Sequence, residues 1–292
     1  MPRYQRHDAT LPSRPVLVIA LEGWIDAGFA AASATAALLE SVRTEPYVTF
    51  DPDGLIDYRS RRPRLRVDDG VRGQILYAEP QLLVGSTPGG TGIAVLVGQE
   101  PDFAWRAFSA DVAALAVELG CRLVIGLGAF PNGVPHTRPV RLAATASEEA
   151  LAVQVGFVPG ALDVPAGIGD VIGARCSEIG IPSVGLWARV PHYVAGMPFP
   201  PGALALVEGL NALSGLSLDT SELQKSAEAT RHRVDELIAA SEEHAELVRR
   251  LEDQFESYGP GESGISEVGI DEALPSGDEI AAELERFLRG EA

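Results

Sequence analysis

The chain has 292 residues, 46% of them hydrophobic, which suits one large domain with an accessory segment. Its formal net charge of −18 argues against nucleic acid as a partner, because phosphate binding requires a basic surface. Two cysteines, Cys121 and Cys176, are too few for a disulfide framework or a zinc site, so we expect both to be small buried side chains. The polar start and the absence of an apolar run near the roughly 20 residues of a membrane helix predict a cytoplasmic protein that does not bind membranes.

The first 218 residues alternate short apolar runs with helix-like segments, a pattern typical of an α/β sheet. A hairpin is predicted from residues 74–77 and 81–84, and the glycines of 85–92 favour a turn rather than a phosphate loop because they precede a strand. Further strands are predicted at residues 15–21, 47–50, 93–97, 121–127 and 184–188. Helices are predicted at residues 26–41, 103–119, 147–155, 169–179 and 201–213.

The composition changes in the C-terminal quarter, where acids outnumber bases 20 to 7 over residues 219–292. One helix is predicted from Asp219 to about Ser257, with a narrow apolar stripe of coiled-coil type. A shorter helix is predicted to start at Ser276. We therefore divide the chain into an α/β core domain, 1–218, and an acidic helical extension, 219–292.

Polar segments follow four of the apolar strands. In an open parallel sheet, ligands bind beyond the carboxyl ends of the strands, so these segments predict a cleft at one edge of the sheet. No catalytic motif of known spacing occurs, and no catalytic residue is assigned. The candidate ligand-binding residues of this cleft are Glu22, Asp26, Glu100, His136, Arg138, His192 and Tyr193.

Several of these residues have a structural interpretation beside the functional one. Asp26 stands at the start of a predicted helix and can serve only as its cap. His136 and Arg138 lie between two prolines that hold them rigidly, and they can receive a carboxylate or phosphate. Alternatively, Arg138 pairs internally with Glu22 or Asp26. Two histidines and a carboxylate can bind a metal, but no spacing requires it, and neither metal nor cofactor is predicted.

Three segments together resemble the proteasome assembly chaperone family, specifically its second chaperone and the bacterial relatives of actinobacterial type. They are Leu-Glu-Gly-Trp-Ile-Asp-Ala-Gly at 21–28, the run that ends in Pro-His-Thr-Arg-Pro at 135–139, and Leu-Trp-Ala-Arg-Val-Pro-His-Tyr at 186–193. Ile25 departs from the family, which usually has Asn there. The resemblance implies a three-layer α/β/α sandwich similar to purine nucleoside phosphorylase, a homo-oligomer with a trimer expected first, and a role in assembly.

These observations leave two main hypotheses for function. The first is a non-enzymatic assembly or scaffold protein that binds a protein partner through its C-terminal helices. The alternative is a protein or enzyme that takes a small molecule, a nucleoside or a carboxylate, in the cleft. A purely structural oligomer is a separate, third interpretation. Lys225 is the single lysine of the chain, which disfavours an ATP-dependent ligase because such folds normally hold phosphates with lysine as well as arginine.

Overall fold

A mixed sheet of eight strands forms the centre of the molecule, and a separate two-stranded hairpin stands beside it. The computed structural model describes residues 3–23 and 25–257. The strands of the sheet are β1 (Tyr4–Arg6), β2 (Val16–Glu22), β3 (Arg43–Phe50), β6 (Gln81–Ser86), β7 (Gly92–Gln99), β8 (Leu123–Asn132), β9 (Leu142–Ala146) and β10 (Ser183–Pro191), and those of the hairpin are β4 (Arg64–Asp68) and β5 (Val71–Leu76).

The order of strands across the sheet is β1-β3-β6-β7-β2-β8-β10-β9. The four central strands, β7, β2, β8 and β10, are parallel to one another, whereas the outer strands pair antiparallel. The carboxyl ends of the four central strands therefore meet at one edge, as the sequence predicts. Central parallel strands are buried on both faces, which explains their continuous apolar runs.

Helices cover both faces of the sheet. They are α1 (Ala30–Ser41), α2 (Trp105–Glu118), α3 (Glu149–Val155), α4 (Ile168–Glu178), α5 (Pro200–Ser214), α6 (Ser221–Ala239) and α7 (Glu242–Ser257). Along β2, Val16 and Val18 point into the core beneath α1 and α5, while Leu17 and Ile19 point into the core beneath α2 and α4. This alternation confirms the predicted three-layer α/β/α architecture.

The predicted hairpin of residues 74–77 and 81–84 is wrong. The strand β5 pairs with β4, and β6 pairs with β3 and β7 in the main sheet. The missed signal is Asp69-Gly70, where φ is 49° and 81°, because two positive φ values make the tight turn that closes a two-residue hairpin. The strands β1, β4 and β9 were also not predicted. The strands β1 and β9 are short and lie at the two edges of the main sheet, and β4 belongs to the separate hairpin.

The single long helix predicted from Asp219 is also wrong, because the chain forms α6 and α7 with a break at residues 240–241. The Ser241 hydroxyl accepts a hydrogen bond from the backbone of His244 at 3.4 Å, so Ser241 caps α7. Of the predicted apolar stripe, Val234 joins the core beneath α5, whereas Leu237 is 58% exposed. The shorter helix predicted from Ser276 lies outside the described residues.

The two cysteines are buried, as predicted. Burial raises the pKa of Cys121 to about 12 and that of Cys176 to about 11, so both thiols remain protonated. Within residues 3–23 and 25–257, no helix combines the length and apolar character that crossing a bilayer requires.

Candidate functional site

A cleft of about 740 Å³ lies beyond the carboxyl ends of β2 and β7, between the first turns of α1 and α4. Its floor is formed by β8 and β10, where Gly126, Gly128 and Gly185 contribute no side chains. A Cβ at Gly128 would collide with the ring of Trp187, so the glycine lets this ring lie flat against the sheet. The Trp187 indole N–H donates to the Thr145 hydroxyl at 3.2 Å, which fixes the ring in the cleft.

Three of the predicted residues line this cleft, and each is a carboxylate. Glu100 is 8% exposed, and its Oε1 accepts a hydrogen bond from the backbone N–H of Ile168, the first residue of α4, at 2.8 Å. Asp26 accepts hydrogen bonds from the backbone of Ala31 and Ala32 at 2.7 and 3.0 Å, in the first turn of α1. Both carboxylates thus satisfy free N–H groups at helix starts, where negative charge is favoured.

Glu22 is exposed at the rim, and its Oε2 accepts a hydrogen bond from the Gln99 side chain at 2.8 Å. Asp170 and Glu178 add two more carboxylates to the lining, and neither was predicted from the sequence. The described residues that line the cleft include no lysine, arginine or histidine. Its electrostatic character therefore opposes an anionic ligand.

His136 lies outside this cleft, in a buried network beside α6. Its side chain is 1% exposed, and its Nδ1 lies 2.7 Å from the Tyr193 hydroxyl, while its Nε2 lies 3.0 Å from a carboxylate oxygen of Asp235. The Tyr193 hydroxyl also accepts the backbone N–H of His136 at 2.8 Å, so its own hydrogen is free to donate to Nδ1. The proton of a neutral ring then lies on Nε2, where it donates to Asp235. Burial raises the pKa of Tyr193 to about 12, which keeps this hydroxyl protonated.

Arg138 joins the same loop to α7. Its guanidinium donates to Glu252 at 3.0 Å and to Glu256 at 2.6 Å, and the hydroxyl of Thr137 also donates to Glu252. Hydrogen bonds to Glu256, followed by the charges of both glutamates, raise the pKa of Arg138 above its ordinary value. Arg138 is thus paired internally, but with α7 and not with Glu22 or Asp26.

The seven predicted residues therefore do not form a single cluster. Glu22, Asp26 and Glu100 line the cleft, whereas His136, Arg138, His192 and Tyr193 do not. The chain turns away after β10 through a 3-10 turn, His192–Val194, which packs Tyr193 against the core beneath α5. His192 itself is exposed, with its ring 5.3 Å from that of Tyr193. In the part of the chain that the structure describes, no three His, Cys, Asp or Glu side chains come together in a way that would hold a metal ion.

Arg189 is a further unusual residue, which the sequence did not single out. It is 3% exposed on β10 beside Phe130, and its Nε is buried without a hydrogen-bond partner. No ion pair joins it to a described carboxylate, and its cross-strand neighbour is Arg141, whose carbonyl accepts the Arg189 backbone N–H at 3.2 Å. Burial, and then the charge of Arg141, lower the pKa of Arg189. A buried guanidinium without a charged partner lowers the free energy of unfolding.

The sheet with helices on both faces, together with α6 and α7, defines a three-layer α/β protein with an attached pair of helices. Comparisons with known proteins agree with this description. The model of the PAC2 family matches residues 20–238, so the chain belongs to the PAC2 family. This match confirms the resemblance found in the sequence. The matched range includes most of α6, which makes that helix part of the family's shared region.

Solved structures of actinobacterial proteins are the most informative relatives. A Mycobacterium tuberculosis protein of unknown function is 34% identical, with a TM-score of 0.80, over 88% of this chain and 92% of its own. A proteasome-assembly chaperone homologue from the same organism is 35% identical, with a TM-score of 0.74, over 80% and 99%. A PAC2 family protein from Streptomyces avermitilis is 36% identical, with a TM-score of 0.70, over 80% and 99%. No curated protein matches the chain.

Replacement of Arg189 by methionine tests whether this guanidinium is only a structural cost. Methionine keeps most of the length of the side chain and removes the buried charge, so we expect the free energy of unfolding to rise by about 1 kcal/mol or more. Urea-induced unfolding of the full chain measures the change. Arg122→Met is the matched control, and it should lose about 1 kcal/mol because Arg122 donates to the Ser214 carbonyl. A clear loss of stability in Arg189→Met would show that the guanidinium has a stabilising partner.

Proposed function

We propose that this chain is a non-enzymatic assembly or scaffold protein that binds other proteins. The observation that carries the proposal is the engagement of His136 and Arg138, the residues best suited to chemistry, in contacts with α6 and α7. Neither side chain is free to receive a substrate in this arrangement. Their contacts instead hold two acidic helices against the α/β core. The M. tuberculosis relative described as a proteasome-assembly chaperone homologue supports a role in the assembly of proteasomes or of another protein complex.

The outer faces of α6 and α7 are the surface that we assign to a protein partner. Most of their residues are exposed, and Leu237 places a large apolar side chain, 58% exposed, on α6. We assign this side chain to the centre of the partner surface, since interfaces place apolar contacts at the centre and polar groups at the rim. We further propose that the chain acts in the cytoplasm as a homo-oligomer, with a trimer expected first.

The assembly role predicts an effect on complex formation. The full chain, added to purified α- and β-subunits of the proteasome from the organism that encodes it, should accelerate formation of the core particle. Native gel electrophoresis over time measures the yield of assembled particle. Leu237→Glu should weaken binding and lower the yield, because it places a charge in the centre of the proposed interface.

Val117→Glu provides the matched control for this experiment. Val117 is 56% exposed, close to the value for Leu237, but it lies on α2. We expect this variant to act as the wild type does. If neither the rate nor the yield of assembly responds to the wild-type chain, and no subunit binds to it, the proteasome role is contradicted. If Val117→Glu and Leu237→Glu lower the yield of assembled particle equally, α6 is not the binding surface.

The cleft supports a second candidate function, the binding of a small molecule. Its size suits a ligand such as a nucleoside, and the indole of Trp187 offers an aromatic face for stacking. The absence of basic side chains from its described lining favours an uncharged nucleoside over a carboxylate. The buried Glu100 provides an acceptor for the N–H groups of such a ligand.

Thermal unfolding with a panel of free nucleosides tests this second function. A ligand present at 100 times its dissociation constant stabilises the folded state by about 2.7 kcal/mol. We expect one or more nucleosides to raise the Tm of the wild type and of Trp105→Phe, whose indole lies on α2 outside the cleft. Trp187→Leu should abolish the shift. A Tm that no nucleoside changes, or an equal shift in Trp187→Leu, would contradict nucleoside binding in the cleft.

A further inference from the structure

The hairpin β4–β5 is unusually exposed for a structured element. All eleven residues of its two strands are exposed, including large aliphatic side chains. Leu65 and Ile75 are directly paired across the strands and share one face with Val67, and the three are 47%, 46% and 54% exposed. A two-stranded hairpin with a solvent-exposed apolar face is at best marginally stable in water, so it requires a surface to pack against.

The base of the hairpin is nevertheless held in place. Arg61, which precedes β4, donates to the Glu100 carbonyl at 2.5 Å and to the Asp102 carboxylate at 3.3 Å. On the other side, the ring of Tyr77, just after β5, lies edge-on to the ring of Tyr58 at 5.4 Å. Contacts at its base therefore fix the position of the hairpin on the α/β domain. Its strands, however, contribute little to the hydrophobic interior of their own chain.

The charge of the hairpin is opposite to that of the rest of the protein. Residues 59–76 contain six arginines and two aspartates, a net charge of +4 in a chain whose total is −18. Arg64, Arg66 and Arg72 lie on the strands themselves. Arg66 pairs with Asp68 of the same strand at 3.0 Å, whereas Arg64 and Arg72 form no ion pair with a described carboxylate. The remainder of the chain carries −22, so the hairpin is complementary to the surface of another molecule of the same protein.

We propose that the hairpin β4–β5 is the surface through which this chain docks on a second copy of itself. The aliphatic face of Leu65, Val67 and Ile75 is buried against the second copy, and Arg72, which is paired with Val67 on the same face, meets its acidic surface. The contact joins different surfaces of the two copies, and a contact of this kind closes into a ring when the rotation between copies allows it. This inference rests on the self-association proposed above and assigns it to a particular element.

Light scattering coupled to size-exclusion chromatography at micromolar concentration tests the inference on the full chain. The wild type should have a mass that is a multiple of 30.8 kDa. The triple variant Leu65→Ser, Val67→Ser, Ile75→Ser should elute with the mass of a single chain. The charge variant Arg64→Glu, Arg66→Glu, Arg72→Glu should also dissociate, because it repels an acidic partner surface and leaves the aliphatic face intact. Circular dichroism establishes that each variant is folded.

Val153→Ser with Leu162→Ser is the matched control, since these side chains are 62% and 50% exposed away from the hairpin. We expect this control to keep the mass of the wild type. A wild-type oligomer that persists in both hairpin variants would overturn the hairpin assignment and leave self-association standing. A wild type with the mass of one chain would overturn both the hairpin assignment and self-association.

Discussion

The buried His136 ring joins the loop after β8 to the C-terminal helices, and much of the remaining structure depends on this contact. Its two nitrogens face the Tyr193 hydroxyl and the Asp235 carboxylate, so both are satisfied without water. A buried polar group that loses its partner costs about 1–3 kcal/mol, which means that the ring can stay buried only while α6 remains in place. Through this ring, and through the pairing of Arg138 with α7, the acidic helices are held against the sheet.

The polar segments that follow the central strands predicted a single cluster of side chains. The contacts with α6 and α7 instead place one group of these side chains apart from the cleft. His136 and Arg138 are directed toward the helices, whereas the carboxylates Glu22, Asp26 and Glu100 line the cleft. The cleft is consequently acidic and has an aromatic wall, and the helices present an exposed acidic surface. The proposed assembly role rests on the region outside the cleft, where His136 and Arg138 contact the helices.

Much of the sheet could be predicted from the sequence because continuous apolar runs such as residues 16–21 indicate strands buried on both faces. The partners of Arg138 could not be predicted, because Glu252 and Glu256 are more than 100 residues away and carboxylates spaced four apart also occur on any solvated helix. Trp187 could have been found from the alternating glycines of β8, Gly126 and Gly128, since they indicate a strand face that lacks covering side chains. The buried Arg189 gave no signal at all, because an arginine next to a strand end usually reaches solvent.

Hydrogen–deuterium exchange of the full chain, compared between the wild type and Arg138→Gln, tests most directly whether the loop at 135–139 holds the C-terminal helices. Glutamine removes the charge that pairs with Glu252 and Glu256 and leaves the core strands untouched. We predict that the amides of α7 exchange faster in the variant while those of β2 and β8 remain protected. Unchanged protection of α7 would contradict the account, because it would show that Arg138 does not hold the helix and is available for another role.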